Sequence, residues 1–269
     1  MNLTNEVAVV TGATRGLGRA VATQLAEAGA KVVVVGRSTN SAPHKILPGT
    51  LEEVEGDLKG RGAEVLAVRA DLSKAEEAQK VVDETLAWAG RCDVLVTNAS
   101  YTPAGGFFEV PSSRWTTGWN ITVLSTVILM QGFLQSMLDR AHGRILHVGS
   151  ESAKYAPEIP LDWRRRPDGQ GTPLLYGVTK SALERLTRGM HDAFGGQGVT
   201  VTNLRAGQMA SESWHVMTGQ MGLPNDPSHV HTPDEIAAGT LWLLEHADEY
   251  DGRIVDFHLL EEKGAIQPK

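Results

Sequence analysis

A single cysteine stands among the 269 residues, so no disulfide can close within the chain. Cys92 precedes the apolar run Val94-Leu95-Val96, which predicts a buried, unreactive thiol and suits a reducing compartment. Long apolar stretches are missing as well. Residues 1–10 carry neither the basic start nor the apolar block of an export signal. The longest apolar region, 123–134, is interrupted by Ser125, Thr126, Gln131 and Gly132 and is too short and polar to span a bilayer. The expected location is cytoplasmic. Positive charge is not in excess either. With 25 Lys and Arg against 32 Asp and Glu the net charge is −7, which argues against nucleic acid or an anionic membrane as partner. The nine histidines form no metal-ligand pattern, and no metal is expected: His229-x-His231 lacks a third ligand nearby and reads as solvated, while His147 reads as a hydrogen-bonded core residue. Repeats, low-complexity tracts and interdomain linkers are absent, so residues 1–269 are expected to form one domain.

What is present is an alternation of short β-branched runs with longer helical patterns, the signature of βαβ units and a parallel sheet. Strands are predicted at 7–10, 31–35, 64–68, 93–97, 144–148, 199–204 and 253–259, and helices near 15–28, 50–60, 74–89, 112–138, 173–194 and 233–246. The strands are apolar almost throughout, as expected when helices cover both faces of the sheet. Thr232-Pro233-Asp234-Glu235 is a helix start, with a capping hydroxyl, proline at the first position and acids at the positive dipole end. Ala28-Gly29-Ala30 reads as a helix stop. Segments 38–49, 155–172 and 208–231 fit no element. Loops that follow strands at one edge of such a sheet can roof a ligand crevice.

After the first strand comes Thr11-Gly12-Ala13-Thr14-Arg15-Gly16-Leu17-Gly18, entering the first helix. Glycine allows a tight turn and close backbone approach to a pyrophosphate, and the helix N-terminus adds N–H donors and a positive dipole. The alternative is a glycine turn kept for packing. An NAD site usually places an acid after the second strand to hold the ribose 2′-hydroxyl. Here the strand ends Gly36-Arg37-Ser38, and the next acid is Glu52. Arg15 and Arg37 are suited to grip a 2′-phosphate instead, which favours NADP(H) over NAD(H); the bland reading is two solvated arginines.

Tyr176-Gly177-Val178-Thr179-Lys180 sets a phenol and an ammonium one helical turn apart on one face. A lysine cation beside a tyrosine is expected to lower the phenol pKa and ready it for acid–base work. On an arbitrary helix the same pair is a surface contact.

With these strings in order, residues 4–260 resemble the compact short-chain dehydrogenase/reductase family. The resemblance implies a Rossmann-type, doubly wound α/β fold with a seven-stranded parallel sheet. It implies that Gly12, Thr14, Arg15, Gly16, Leu17 and Gly18 form the cofactor loop, that Asp71 and Leu72 meet adenine, and that Asn98 and Ala99 follow the fourth strand beside the cofactor. Gly207, Met209 and Ser211 correspond to the nicotinamide side. Asn120, Ser150, Tyr176 and Lys180 match the catalytic set: Tyr176 exchanges a proton with the substrate oxygen, Ser150 hydrogen-bonds that oxygen, Lys180 also contacts the nicotinamide ribose, and Asn120 supports a water linking Lys180 to solvent. Ser152 is the fallback for Ser150.

Several features depart from the family pattern. The interval from Ser150 to Tyr176 is about twice the usual one and carries Trp163 and Arg164-Arg165-Arg166, suited to a bulky or acidic group or to a solvated loop. The proline of the usual Pro-Gly is replaced in Arg205-Ala206-Gly207. Residues 209–227 read as a mobile lid or an ordinary surface loop. The lengthened connection at 41–50 is similar to an insertion of the hydroxysteroid-dehydrogenase-like branch. The expected activity is NADPH-dependent reduction of a ketone or aldehyde. Its rivals are an NAD-dependent alcohol dehydrogenase working oxidatively and a non-catalytic dinucleotide sensor. Apolar helical surfaces at 121–134 and 183–194 predict a homodimer or homotetramer.

Overall fold

Valine-rich runs flanked by amphipathic helices assemble as the alternation predicts. The computed structural model describes residues 1–103, 105–154, 174–221 and 226–269, so the insertion at 155–172, with Trp163 and Arg164 to Arg166, lies outside the described residues. The strands are β1 (Val7–Thr11), β2 (Lys31–Gly36), β3 (Val65–Arg69), β4 (Val94–Thr97), β5 (Gly143–Gly149), β6 (Val199–Arg205) and β7 (Ile254–Asp256). They form a seven-stranded sheet in the order β3-β2-β1-β4-β5-β6-β7, and every pairing is parallel.

Side chains alternate between two apolar layers. Ala8, Val10, Val32, Val34, Val94, Val96 and Leu146 pack with α1 (Gly16–Glu27), α2 (Leu51–Gly60) and α8 (Pro233–Glu245). Val9, Val33, Leu95, Ile145 and Val201 pack with α3 (Ala75–Ala89), α5 (Ser125–Asp139) and α6 (Leu174–Phe194) on the other face. Two-sided burial explains why these strands read as unbroken apolar runs. Ahead of β4, Asp93 is buried; its carboxylate accepts the Val7 N–H at 2.9 Å and pairs with Arg91 and Arg140, tying β1 to β4.

The helix punctuation follows the sequence. Thr50 and Thr232 each close a reciprocal cap with the glutamate three residues on, and Gly29, at φ 94°, turns the chain out of α1 into β2. The expected helix over 112–138 is one continuous run made of α4 (Ser112–Trp119), a π-helical turn Asn120–Leu124 and α5. Among the described residues this run, 112–139, is long and apolar enough to cross a membrane, an 18-residue window within it having mean hydropathy 1.6. Here Leu129, Met130, Phe133 and Met137 are instead buried against the sheet, and Gly132 lies against Val82 of α3.

Three expectations need correction. The last strand covers only Ile254–Asp256, because the Asp256 carboxylate accepts the His258 N–H and starts α9 (Phe257–Glu262). Segment 208–231, unassigned from sequence, contains a regular helix, α7 (Glu212–Met221), and a 3-10 turn at Pro227–His229. His231 is not solvated: it is 2% exposed, and its Nε2 lies 2.9 Å from Glu261 Oε1. Cys92 and His147 behave as expected. The Cys92 thiol is buried, which pushes its pKa up; His147 Nδ1 pairs with Thr97 Oγ1 at 2.7 Å.

Candidate active site

The connections leaving β1 and β4 run to opposite faces of the sheet, so a crevice opens at their C-terminal ends. Thr11 and Asn98 close its floor. Thr11 Oγ1 accepts the N–H groups of Asn98 and Ala99, both at 3.0 Å. Asn98 Nδ2 donates back to the Thr11 carbonyl at 2.9 Å and the Gly12 carbonyl at 3.3 Å. Gly12 and Gly16 adopt φ of 67° and 51°, where a side chain is strained. A Cβ at Gly18 would collide with the Gly12 carbonyl oxygen and stand 2.5 Å from Asn98 Nδ2. The glycines therefore let helix and turn lie directly on one another. Thr14 and Leu17 are buried in the same turn.

The amino end of α1 is a fitted anion site. The Gly16 N–H donates to a carboxylate oxygen, Glu212 Oε2, at 3.0 Å. Peptide dipoles and orphan N–H groups favour negative charge there, so the residues present fit the pyrophosphate of a dinucleotide. Glu212 begins α7, directly after Ser211, and sequence reasoning missed it; a lone acid 196 positions from its partner leaves no local pattern.

Around the far side of the turn, Arg15 is partly engaged. Its Nε donates to the Pro48 carbonyl at 2.8 Å, and one terminal nitrogen bonds Ser38 Oγ at 3.1 Å and the Gly49 carbonyl at 3.2 Å. Segment 38–49 is thus folded onto the glycine turn. Arg37 is exposed, and its charge with that of Arg15 helps hold the His44 pKa down, after desolvation. Asp71 is turned inward on its own loop, accepting from the Ser73 N–H at 3.2 Å and Ser73 Oγ at 2.8 Å, and Leu72 is buried beside it.

Across the crevice, β5 ends at Gly149, and Ser150 caps the 3-10 turn Glu151–Ala153, its Oγ accepting the Ser152 N–H at 3.2 Å. Tyr176 and Lys180 lie one turn apart on α6, and the Ser150 hydroxyl hydrogen-bonds the Tyr176 phenol. Lys180 is buried, its Nζ 5.5 Å from the Tyr176 ring centroid and 2.6 Å from the Val148 carbonyl oxygen that accepts its proton. Asn120 opens the π-helical turn, where its Nδ2 donates to the Ser73 carbonyl at 2.9 Å; π-turns of this kind often occur at functional sites. Close to Ser150, Lys154 bridges Glu151 and Asp256, and Arg205 pairs with Glu184 through two bonds of 2.6 and 2.8 Å.

The electrostatics correct one expectation. Lys180 does not acidify Tyr176; burial raises the phenol pKa, and the Ser150 hydrogen bond offsets this only in part. Burial also brings the Lys180 amine down to about 7. His147, beneath it in β5, is held neutral, with a pKa near 3, by burial and by Lys180.

Gly207, at φ 70°, passes against the Phe257 ring, where a Cβ would stand 2.7 Å from ring carbons. Met209 then bridges to His231, and Ser211 comes beside Gly16. The structure thus brings the glycine turn, Asn98, Ala99 and Ser211 together on one side, with Ser150, Tyr176 and Lys180 joined on the other.

Comparison with known proteins identifies the fold and the family. The short chain dehydrogenase family model matches residues 6–163. The uncharacterised oxidoreductase YvrD of Bacillus subtilis is 32% identical over 79% of this chain and 72% of its own length. The (2S)-[(R)-hydroxy(phenyl)methyl]succinyl-CoA dehydrogenase subunit BbsD of Thauera aromatica is 28% identical over 91% of both chains. Among solved structures, a short-chain dehydrogenase/reductase of Serratia marcescens is 27% identical, with TM-score 0.75 over 95% of this chain and 97% of the other. A metagenomic short-chain oxidoreductase in complex with NADP is 26% identical, with TM-score 0.70 over 94% and 96%. The chain belongs to the short-chain dehydrogenase/reductase family and is an NAD(P)-dependent oxidoreductase.

Proposed function

We propose that the protein reduces a ketone or aldehyde to an alcohol with NADPH, Tyr176 protonating the substrate oxygen. The observation that carries this reading is the Ser150–Tyr176–Lys180 cluster, in which the Ser150 hydroxyl hydrogen-bonds the phenol and the Lys180 amine lies 5.5 Å from its ring centroid. The phenol hydroxyl beside Ser150 is placed to pass its proton to a carbonyl oxygen held by the same two groups. When bound, the cofactor supplies hydride to the carbonyl carbon. Ser150 hydrogen-bonds the carbonyl oxygen and steadies its developing charge. Lys180, which titrates near neutrality, returns a proton to the phenolate. Asn120 lies on the π-helical turn facing α6 and completes the set.

Gly12, Thr14, Gly16, Leu17, Gly18, Asn98, Ala99 and Ser211 line the dinucleotide crevice in this reading, Asp71 and Leu72 take the adenine end, and Gly207 and Met209 the nicotinamide end. Arg37 and the remaining donors of Arg15 hold the 2′-phosphate. The NADP in the metagenomic relative supports that choice. Segments 38–49, 155–172 and 208–231 are insertions and a cover on one catalytic domain. The apolar residues expected to face a partner at 121–134 and 183–194 are mostly spent on the core, as at Leu129, Met130, Phe133 and Leu183, but exposed Trp119, Leu124, Leu174 and Val178 suit a homodimer or homotetramer, and the single buried thiol suits the cytoplasm.

Tyr176→Phe tests the assignment. Turnover of a carbonyl panel, followed by loss of reduced-nicotinamide absorbance, should fall at least ~100-fold while NADPH affinity stays within about twofold. A variant that keeps full turnover refutes the proton-donor role.

A further inference from the structure

Glu212 has no place in the catalytic scheme, yet it occupies the amino end of α1. Its Oε2 accepts the Gly16 N–H at 3.0 Å. A Cβ at Gly16 would stand 3.4 Å from Ser211 Cβ and 3.6 Å from that same carboxylate oxygen. The acid also acts on the Arg15 guanidinium, raising its pKa against the effect of burial. It is delivered there by ordered chain. Ser211 Oγ accepts the Trp214 N–H at 3.2 Å, Trp214 is buried, and the Ala210 N–H donates to the His231 carbonyl at 2.8 Å.

We infer that Glu212 is a built-in competitor of the cofactor pyrophosphate: its carboxylate latches α7 onto the phosphate-binding end of α1, and a dinucleotide must expel it to bind. The inference rests on the dinucleotide reading of the crevice. Two anions cannot share one helix terminus without repulsion, and the carboxylate satisfies the N–H that a phosphate oxygen needs. Glu212 therefore weakens cofactor affinity and couples the position of α7 to cofactor occupancy.

Calorimetric titration of the purified protein with NADPH, NADH and adenosine 2′-monophosphate tests this, comparing wild type with Glu212→Gln and Glu212→Ala. Both variants should bind NADPH and NADH about 3- to 20-fold more tightly, the range expected for removing a carboxylate from a helix end. Adenosine 2′-monophosphate, which lacks the pyrophosphate and feels Glu212 only through Arg15, should gain less in both variants than either dinucleotide does. Dinucleotide affinities that are unchanged or weakened in both variants, with melting temperatures near the wild-type value, overturn the inference and leave Glu212 as a first-turn acid of its own helix. If the wild type binds neither dinucleotide, the crevice reading fails and the latch with it. Binding that fails to tighten in the variants sinks the latch alone.

Discussion

Replacing Lys180 with methionine exchanges a buried amine for an apolar side chain of similar length, and the structure gives the sign and size of the result. Burial lowers the Lys180 pKa from 10.5 to about 7. At about 1.36 kcal/mol per pH unit, holding this group in the fold costs on the order of 4 kcal/mol at pH 7. Methionine removes that cost but leaves the Val148 carbonyl without the donor it has at 2.6 Å, a loss of about 1–3 kcal/mol. The variant should thus be more stable than wild type by about 1–3 kcal/mol at pH 7, while losing turnover. The pH dependence is the sharper test. Between the folded value of about 7 and the unfolded value near 10.5, the unfolded chain binds the additional proton. Wild-type stability therefore rises with pH across that window, and the variant lacks this contribution. Urea unfolding of both proteins without cofactor at pH 7, 8 and 9 should show the advantage of the variant shrinking by about 2 kcal/mol over the series. An advantage that stays constant with pH, or a variant less stable than wild type at pH 7, refutes the argument that the amine is held in the fold at the expense of its charge.

Two further outcomes follow from the crevice. Gly18→Ala forces a methyl against the Gly12 carbonyl and Asn98 Nδ2; unfolding should show a loss of about 1–3 kcal/mol, and NADPH titration a collapse of affinity, whereas an unperturbed variant means the turn can open freely. Arg37→Asp should weaken NADPH about 10- to 100-fold relative to NADH, the worth of a charge-assisted bond to a phosphate. Equal losses for both cofactors would remove Arg37 from 2′-phosphate recognition.

The sheet was readable because its strands are buried on both faces, so Val32 to Val35 or Val94 to Val96 appear as unbroken apolar runs with little ambiguity of type. Caps carried by adjacent residues were equally visible, as at Thr232 and Glu235. What escaped depends on contacts between distant segments. The end of β7 is set by a single Asp256 cap, and the π-helical turn at Asn120 leaves no break in the apolar pattern of 112–138. His231 looks like a loop residue until Glu261 closes over it. The Tyr176–Lys180 spacing located the pair but misjudged its electrostatics, because the sign of the Tyr176 shift depends on how deeply both groups are buried, which spacing does not encode.

Buried polarity is concentrated where that misjudgement occurred. Thr97, His147 and Asn203 are register partners across β4, β5 and β6, on the face packed by α5 and α6. His147 Nε2, both amide atoms of Asn203 and the Thr122 hydroxyl of the π-helical turn are buried without a hydrogen-bond partner among the described residues. Asn203 is held so close to β5 that a Cβ at Gly149 would collide with its Oδ1. Each such group costs about 1–3 kcal/mol relative to an apolar replacement, and Lys180 adds a larger penalty on the same face. Chains that depart from apolar packing at several adjacent positions do so most often where function needs the polarity. On the other layer, where Ala8, Val10 and Val34 meet α1, buried Thr202 of β6 has its hydroxyl satisfied, donating to the Tyr250 carbonyl at 3.1 Å. The two faces of one sheet are therefore specialised: the α1 face stabilises the fold and presents the anion site, while the α6 face gives up stability to keep a titratable amine beneath the phenol.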